Sequence, residues 1–378
     1  MVIPVRRESA DIPFNDLRPL LREAGMDLRK ALAMVFERGR FILGEEVAAF
    51  EHEFAADAGA DYVVGVASGT AALELCLRAA GLAGSGREVI TSPLTAPFTG
   101  LATLAAGCKP RFADIDRDTL LLSGSDVASR ATRRTAAILP VHLYGQPCDL
   151  GVFSELARDL GAVLVQDACQ AHGARCGKRP FTAFSPYVAY SFYPTKNLGC
   201  LGDGGAVATS RVAVAKKVRL LRDGGRTKNH ISLEPGINAR LDEVQACFLR
   251  VFLRRLRMRN EERRRLAALY EEALRDCHGI ELVQQGEGSV FHIFAIRAKQ
   301  RTLLRKRLAR RGVATAIHYP VPLHLQPAFR DSGLKRGDLP EAERACREIV
   351  SLPLWPGMTD AAALRTAECI RSFYAGRH

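Results

Sequence analysis

The chain has 378 residues, of which 47% are apolar and 25% are charged, and its formal net charge is +13. This composition is typical of a soluble globular protein and excludes a disordered chain, and the lack of an uninterrupted apolar stretch of membrane-spanning length excludes a transmembrane helix. Residues 1–16 are charged and lack the apolar centre of a signal peptide, so we expect a cytoplasmic protein. The length favours a large domain with a smaller second one.

The spacing of the cysteines favours free thiols over a disulfide framework or a metal site. There are ten of them, scattered singly, and no C-x-x-C pair occurs; Cys169 and Cys176 are the closest two. We expect mostly buried, reduced thiols and no metal site.

Much of the positive charge lies in one run in which arginines alternate with apolar residues at helical spacing. A solvated helix face is favoured over a stripe that binds nucleic acid, and we expect no nucleic-acid partner. A phosphate-bearing cofactor or a diphosphate-bearing substrate would be a third use for basic surface. The arginines of the run are Arg250, Arg254, Arg255, Arg257, Arg259, Arg263, Arg264 and Arg265.

Helical patterns cover the N-terminal segment, about 13–55, and short strands then alternate with helices as far as residue 210. The alternation predicts an α/β layer with a mostly parallel sheet and helices on both faces, which binds ligands at the carboxyl ends of its strands. The predicted strands are 62–66, 89–91, 110–113, 136–141, 162–166, 187–191 and 206–209, and the helices between them include 71–80 and 151–160.

The pattern changes near residues 235–238. A long helical stretch, about 241–274, precedes a predicted strand at 290–297 and predicted helices at 302–311 and 339–350. We therefore assign residues 1–240 to a large α/β domain and residues 241–378 to a smaller α/β domain, which the helical N-terminal segment could complete.

Two strand ends carry groups suited to a charged ligand. In 66–73 a strand leads through a small-residue turn into a helix, so the amides of Gly69, Thr70 and Ala71 form a possible phosphate cradle; a plain N-cap is the alternative. Asp167 ends a second strand. A buried carboxylate at such a position is costly unless it meets a cation, and a protonated pyridine nitrogen is one such partner. The alternative for Asp167 is that it caps a helix. His142 and His172 fit packed, hydrogen-bonded histidines better than catalytic ones.

Lys196 lies between a strand and a glycine-rich loop, in the segment 190–207. Aromatic residues and Pro194 flank it, a setting too apolar for an ordinary solvated amine. Desolvation and nearby cationic groups lower the pKa of a lysine and make it a nucleophile toward an aldehyde. A structural lysine on a turn is the alternative for this residue taken alone.

Together these segments resemble the DegT/StrS-type sugar aminotransferases, which have the fold-type-I architecture of enzymes dependent on pyridoxal 5′-phosphate (PLP). The resemblance extends over nearly the whole chain. It rests on the segments 13–17, 39–44, 141–146, 167–173, 191–199, 236–243, 318–324 and 352–354.

The resemblance implies a role for each matching residue. Lys196 resembles the Schiff-base lysine and Asp167 the partner of the pyridine nitrogen, which makes these two the catalytic residues. The other implied cofactor contacts are Gln170 beside the ring, Gly69, Thr70 and Ser191 at the phosphate, and Asn238 at the phosphate of the neighbouring subunit; His318 and Tyr319 are candidates for substrate contact.

The implied reaction is transfer of an amino group from glutamate or glutamine to a nucleotide-linked keto sugar, through pyridoxamine phosphate, in a homodimer with shared sites. The family also contains dehydratases in which histidine replaces the lysine, so Lys196 favours transamination. The forms of 192–199 and 202–205 favour 3-keto-6-deoxyhexoses over 4-keto sugars. A cyclitol ketone, a carbocyclic precursor, or a regulatory role without turnover are the alternatives.

Two positions depart from the family pattern. Where an aromatic residue usually stacks on the cofactor ring, this chain has Ala96, and Phe98 is the candidate to fill the space. Thr195 stands where glycine is common, next to the lysine.

Overall fold

The computed structural model describes residues 11–227 and 229–376. The helices of this part are α1 Arg18–Arg38, α2 Glu45–Ala58, α3 Gly69–Ala79, α4 Pro97–Ala105, α5 Gly124–Arg130, α6 Leu150–Asp159, α7 Val212–Leu221, α8 Glu243–Leu253, α9 Leu256–Leu274, α10 Arg301–Arg310, α11 Pro340–Glu348 and α12 Asp360–Tyr374. The strands are β1 Tyr62–Val66, β2 Glu88–Thr91, β3 Lys109–Phe112, β4 Thr135–Leu139, β5 Val163–Leu164, β6 Gln166–Asp167, β7 Val188–Ser191, β8 Gly205–Thr209, β9 Ile280–Leu282, β10 Phe294–Ala298 and β11 Ile349–Leu352.

The large sheet is built from two four-stranded parts, with orders β3-β2-β4-β5 and β6-β7-β8-β1. Val165 separates β5 from β6, and its amide donates to Ile138 of β4, so the two parts continue into one another. β8 runs antiparallel to both of its neighbours, β1 and β7, while the pairs among β2 to β7 are parallel. The predicted mostly parallel α/β fold is confirmed.

Helices cover both faces of this sheet because successive side chains of each strand point to opposite sides. In β1, Val63 belongs to an apolar cluster that includes Phe50 of α2. Its neighbour Val64 belongs to a second cluster with Leu73 of α3 and Val218 of α7. Burial on both faces holds the strand ends, and the loops that follow them, in fixed positions.

A second, antiparallel sheet with the order β11-β10-β9 forms in the C-terminal part. It shares an apolar cluster with α9, α10 and α12. The N-terminal segment reaches the same region, since Ile12 pairs with Val313. Helix α8 packs on α1 and α2. The division into two domains at residue 240 stays a prediction.

Three of the differences from the predicted boundaries have a clear physical cause. The long helix predicted over 241–274 is broken between α8 and α9, where Arg255 has a φ of −107°. The strand predicted from residue 290 begins at Phe294, because Val290 and Ile293 instead donate backbone hydrogen bonds to the loop at residues 144–145. The helix predicted over 339–350 ends at Glu348, because Ile349 is extended and pairs with β10.

The arginine run is not simply a solvated face, and that expectation is wrong for two of its members. Arg259 and Arg263 are buried. Arg259 pairs with Glu23 of α1, and Arg263 donates to backbone carbonyls that include that of Leu354. Arg255 also pairs with Glu23. Much of this charge therefore ties α9 to the rest of the chain.

The thiols are as predicted: all ten cysteines are free, and all are buried or partly buried. Among residues 11–227 and 229–376, no helix is both long and apolar enough to cross a membrane.

Candidate active site

The carboxyl ends of three strands meet at one edge of the large sheet. β1 and β7 point the same way because each is antiparallel to β8, and β6 is parallel to β7. β1 leads into α3 at Gly69, β6 ends at Asp167, and β7 ends at Ser191, shortly before Lys196. The sheet thus gathers residues that are up to 127 positions apart in the sequence, from Gly69 to Lys196.

The turn before α3 fits an anion. The Ser68 hydroxyl accepts a hydrogen bond from the amide of Ala71 at 3.1 Å, so the N-cap alternative is realised here. The amides of Gly69 and Thr70 precede the first intrahelical hydrogen bond, and the positive end of the helix dipole lies with them. A Cβ added at Gly69 would lie 2.6 Å from Cβ of Ser191. Only glycine therefore allows this close approach between α3 and β7.

Asp167 is buried and its carboxylate is held from two sides. The hydroxyl of Thr99 donates to Oδ2 at 2.8 Å, and the amide of Cys169 donates to Oδ1 at 3.1 Å. Asp167 does not start a helix in this structure; it is the last residue of β6, and a turn follows it. A fixed carboxylate at this position can serve a cationic ring nitrogen.

Lys196 is partly buried in the loop after β7, and its amide donates to the carbonyl of Tyr193 at 2.8 Å. Burial lowers the pKa of the Lys196 amine, and the negative charge of Asp167 offsets this only in part. Lys196 also lines a cleft together with Asn15, Arg259 and Trp355. A lowered pKa favours the neutral amine, which is the form that attacks an aldehyde.

Gln170 joins the sheet edge to the segment that holds His318 and Tyr319. Its Oε1 accepts from the amide of Tyr144 at 2.7 Å, and its Nε2 donates to the hydroxyl of Tyr319 at 3.1 Å. The hydroxyl of Tyr144 donates to the carbonyl of His318. His318 also contacts Ser351, with 2.9 Å between Nδ1 and Oγ. The structure therefore brings the two candidate substrate residues to the site through Gln170.

The histidines near Lys196 are neutral at neutral pH. Burial and the charge of Lys196 lower the pKa of His318 to about 4 and that of His172 to about 3. His172 packs against the rings of Tyr190 and Phe192. Farther away, His142 stacks on a phenylalanine ring and accepts a hydrogen bond from a backbone amide, as predicted for a packed histidine.

Sequence reasoning missed a polar network beside Lys196. Asn197 donates to Asn260 of α9 at 2.8 Å and to the carbonyl of Val290 at 2.9 Å. Its Oδ1 lies 3.1 Å from Nδ1 of His292, and burial lowers the pKa of His292 well below the ordinary value. The position of Asn197 next to Lys196 was the only available signal, since His292 lies 95 residues further along.

Two residues that were predicted to contact the cofactor, Asn238 and Phe98, are exposed in the single chain. Asn238 is exposed, although the next residue, Ala239, is buried and accepts a hydrogen bond from the amide of Ala67 at the end of β1. Phe98, the candidate for the space left by Ala96, is 57% exposed. In the first turn of α4, it is the side chain of Thr99, and not that of Phe98, that contacts Asp167.

A helix start suited to an anion, a fixed carboxylate and an amine of lowered pKa at one sheet edge are the groups that an enzyme site for PLP requires. The chain belongs to the DegT/DnrJ/EryC1/StrS aminotransferase family, whose sequence profile matches residues 23–371. The predicted family, fold class and enzyme class are thereby confirmed, as is the dependence on PLP.

Individual relatives cover the chain almost completely. It is 42% identical over 370 residues to dTDP-3-amino-3,4,6-trideoxy-alpha-D-glucose transaminase of Streptomyces venezuelae, with 97% of each chain covered. It is 38% identical to the pleiotropic regulatory protein of Geobacillus stearothermophilus, covering 96% of this chain and 99% of the relative. The solved structure of S. venezuelae DesV in complex with a ketimine intermediate superposes with a TM-score of 0.93 at 41% identity, covering 96% of this chain and 98% of the other.

Proposed function

We propose that this enzyme transfers an amino group from glutamate or glutamine to a nucleotide-linked 3-keto-6-deoxyhexose. The observation that carries the proposal is the amine of Lys196, whose pKa burial lowers, at the same sheet edge as the fixed carboxylate of Asp167. The name of the S. venezuelae relative, a transaminase for a 3-amino sugar, supports carbon 3 as the position that receives the amine.

Each residue has a part in the proposed reaction. The amides of Gly69 and Thr70, with the hydroxyl of Ser191, would hold the phosphate of PLP, and Asp167 would hold its ring nitrogen in the protonated form. When bound, PLP acts as an electron sink for the carbon that carries the amine. Lys196 would bind the aldehyde of the cofactor and, once released, move a proton at the alpha carbon of the donor.

Gln170, His318 and Tyr319 would form the wall of the site toward the substrate. Gln170 is oriented by its bond from the amide of Tyr144, which leaves Nε2 to hold the hydroxyl of Tyr319. A neutral His318 can donate or accept a hydrogen bond with a sugar hydroxyl without adding charge.

Side-by-side assays decide which ketone is used. Given glutamate and equal concentrations of nucleotide-linked 3-keto-6-deoxyhexose and its 4-keto isomer, we expect kcat/KM to be higher for the 3-keto sugar. A cyclitol ketone and a carbocyclic ketone belong in the same panel, because both are aminated by the same chemistry. Preference for the 4-keto isomer, or for a ketone without a nucleotide, would overturn the substrate assignment.

The second candidate function is that of a regulatory protein that binds PLP without turnover. The name of the G. stearothermophilus relative, a pleiotropic regulatory protein, favours this function. The lowered pKa of Lys196 favours catalysis instead, because a cofactor that is only bound has no need of a free amine to move protons.

We also propose a cytoplasmic homodimer whose two sites each use Asn238 of the other subunit. Asn238 is exposed in the single chain, and apolar surface lies near the start of α8, a few residues further on. Phe41 and Ile42 are 47% and 39% exposed, and the carbonyl of Phe41 accepts from the amide of Glu243. Leu201, 39% exposed, contacts α8 through its amide. Apolar surface of this kind marks a protein interface.

A mixed dimer tests this arrangement. Asn238→Asp would place a carboxylate against the phosphate, so that homodimer should bind PLP weakly and be inactive at limiting PLP. The Lys196→Ala homodimer should be inactive as well. In a hybrid of the two, a shared site collects both changes in one place and leaves the other site intact, so about half the activity per hybrid should return.

If Asn238 acts within its own chain, each hybrid site keeps one change and no activity returns. That result would contradict the shared site while leaving the assignment of Lys196 untouched. Sedimentation of each homodimer provides the control that both variants still assemble.

A further inference from the structure

A buried hydroxyl on α4 contacts the carboxylate of Asp167. Thr99 is 2% exposed, and its Oγ1 lies 2.8 Å from Oδ2 of Asp167, 68 residues along the chain. The other oxygen, Oδ1, accepts from the amide of Cys169 at 3.1 Å. One hydrogen bond therefore comes from the adjacent turn, whereas the other comes from a separate helix.

The direction of these hydrogen bonds follows from a count of hydrogens. Thr95, also buried, lies with its Oγ1 3.2 Å from Oγ1 of Thr99. An ionised carboxylate can only accept, and each hydroxyl has a single hydrogen to give. Thr99 must therefore donate to Asp167, and Thr95 must donate to Thr99. The chain of hydroxyls from Thr95 to Thr99 ends at the carboxylate.

Several contacts fix the position of α4 and therefore that of the Thr99 hydroxyl relative to Asp167. The amide of Thr99 donates to the carbonyl of Ala96 at 3.3 Å in the first turn. A turn later, the hydroxyl of Thr103 donates to the carbonyl of Thr99 at 3.1 Å. Gly100 lies directly against Phe329, since an added Cβ would be 2.5 Å from that ring. Thr99 thus sits at a fixed point on a packed helix.

We propose that Thr99 is a positioning residue of the active site, which holds the carboxylate of Asp167 in the orientation that the cofactor's ring nitrogen requires. The inference rests on the proposed role of Asp167. A carboxylate bound on one side only can rotate about its Cβ–Cγ bond. With Thr99 in place, two donors on opposite oxygens define the plane of the group.

Three variants separate positioning from stability. Thr99→Val keeps the shape and removes the donor, Thr99→Ser keeps the donor, and Thr103→Val removes a buried hydroxyl of the same helix that contacts a backbone carbonyl instead of Asp167. The measurements are the Kd for PLP added to each cofactor-free protein, the melting temperature, and kcat and KM for the keto sugar.

We expect Thr99→Val to raise the Kd for PLP and to lower kcat, each by about tenfold, because a hydrogen bond to a charged group is lost. KM for the sugar should change little. Thr99→Ser should restore both values, and Thr103→Val should match the melting temperature of Thr99→Val while binding PLP normally.

Two results would overturn the role of Thr99: a Thr99→Val protein that binds PLP and turns over like Thr103→Val, or a Thr99→Ser protein as impaired as Thr99→Val. Neither result would contradict the proposed function, because that function is judged by the turnover of the keto sugar by the wild-type enzyme, which is measured in the same series. If the wild-type enzyme does not turn over the keto sugar, that result would instead contradict the proposed function.

Discussion

Replacing Lys196 by alanine is expected to abolish amino transfer and the visible absorbance of covalently held PLP. The residue supplies both the covalent attachment and the amine that moves the proton, so turnover should fall by about ten-thousand-fold or more. PLP should still bind through the amides of Gly69 and Thr70, which the change does not reach. The measurements are the absorption spectrum with added PLP and the rate with glutamate and keto sugar.

The matched control is Lys178→Ala, which removes an exposed lysine from a loop. This variant should keep the wild-type spectrum and rate. Borohydride reduction of the PLP-loaded wild type, followed by peptide mapping, should place the label on Lys196. A label on any other lysine would show that the site has been assigned wrongly.

Replacing Asp167 by asparagine should leave the fold intact and slow both halves of the reaction by about a hundredfold or more, by analogy with other preorganised charges in active sites. The amide has the shape of the carboxylate but lacks the negative charge that keeps the ring nitrogen protonated. The rate of each half is followed by stopped-flow absorbance.

Asp114 provides the control for this change. It is also a buried carboxylate, and it accepts hydrogen bonds from three backbone amides, those of Ile115, Glu341 and Ala342, at 2.9, 2.9 and 2.8 Å. Asp114→Asn should lower the melting temperature without changing the rate per active site. Near-normal turnover of Asp167→Asn would rule out the proposed role of its charge.

The parts of the site that local patterns predicted are those where a strand runs into a turn. The run Tyr62–Val66 followed by Ser68 and Gly69 has both the apolar strand and the capped helix start within a few residues. Lys196 likewise lies a few residues after an apolar strand, β7, in the loop that follows it. Such signals need no knowledge of which strands become neighbours, and so they are readable from one sequence.

Contacts between distant segments could not be predicted in this way. The bond from Thr99 to Asp167 depends on α4 packing beside β6, and the network of Asn197 and His292 depends on the C-terminal part lying against the lysine loop. The break between α8 and α9 was missed because the apolar period continues across it. In each case tertiary packing decides what the local pattern leaves open.

The first half of the reaction alone shows whether Lys196 and Asp167 form a site for amino transfer. Glutamate or glutamine is added to the PLP-loaded enzyme without any sugar, and the visible spectrum and the 2-oxo acid are recorded. We expect the absorbance of the bound cofactor to fall as the 2-oxo acid appears, and a nucleotide-linked keto sugar to restore it. An unchanged spectrum with both donors, and no 2-oxo acid, would contradict a role of Lys196 and Asp167 in amino transfer and favour a protein that binds PLP without turnover.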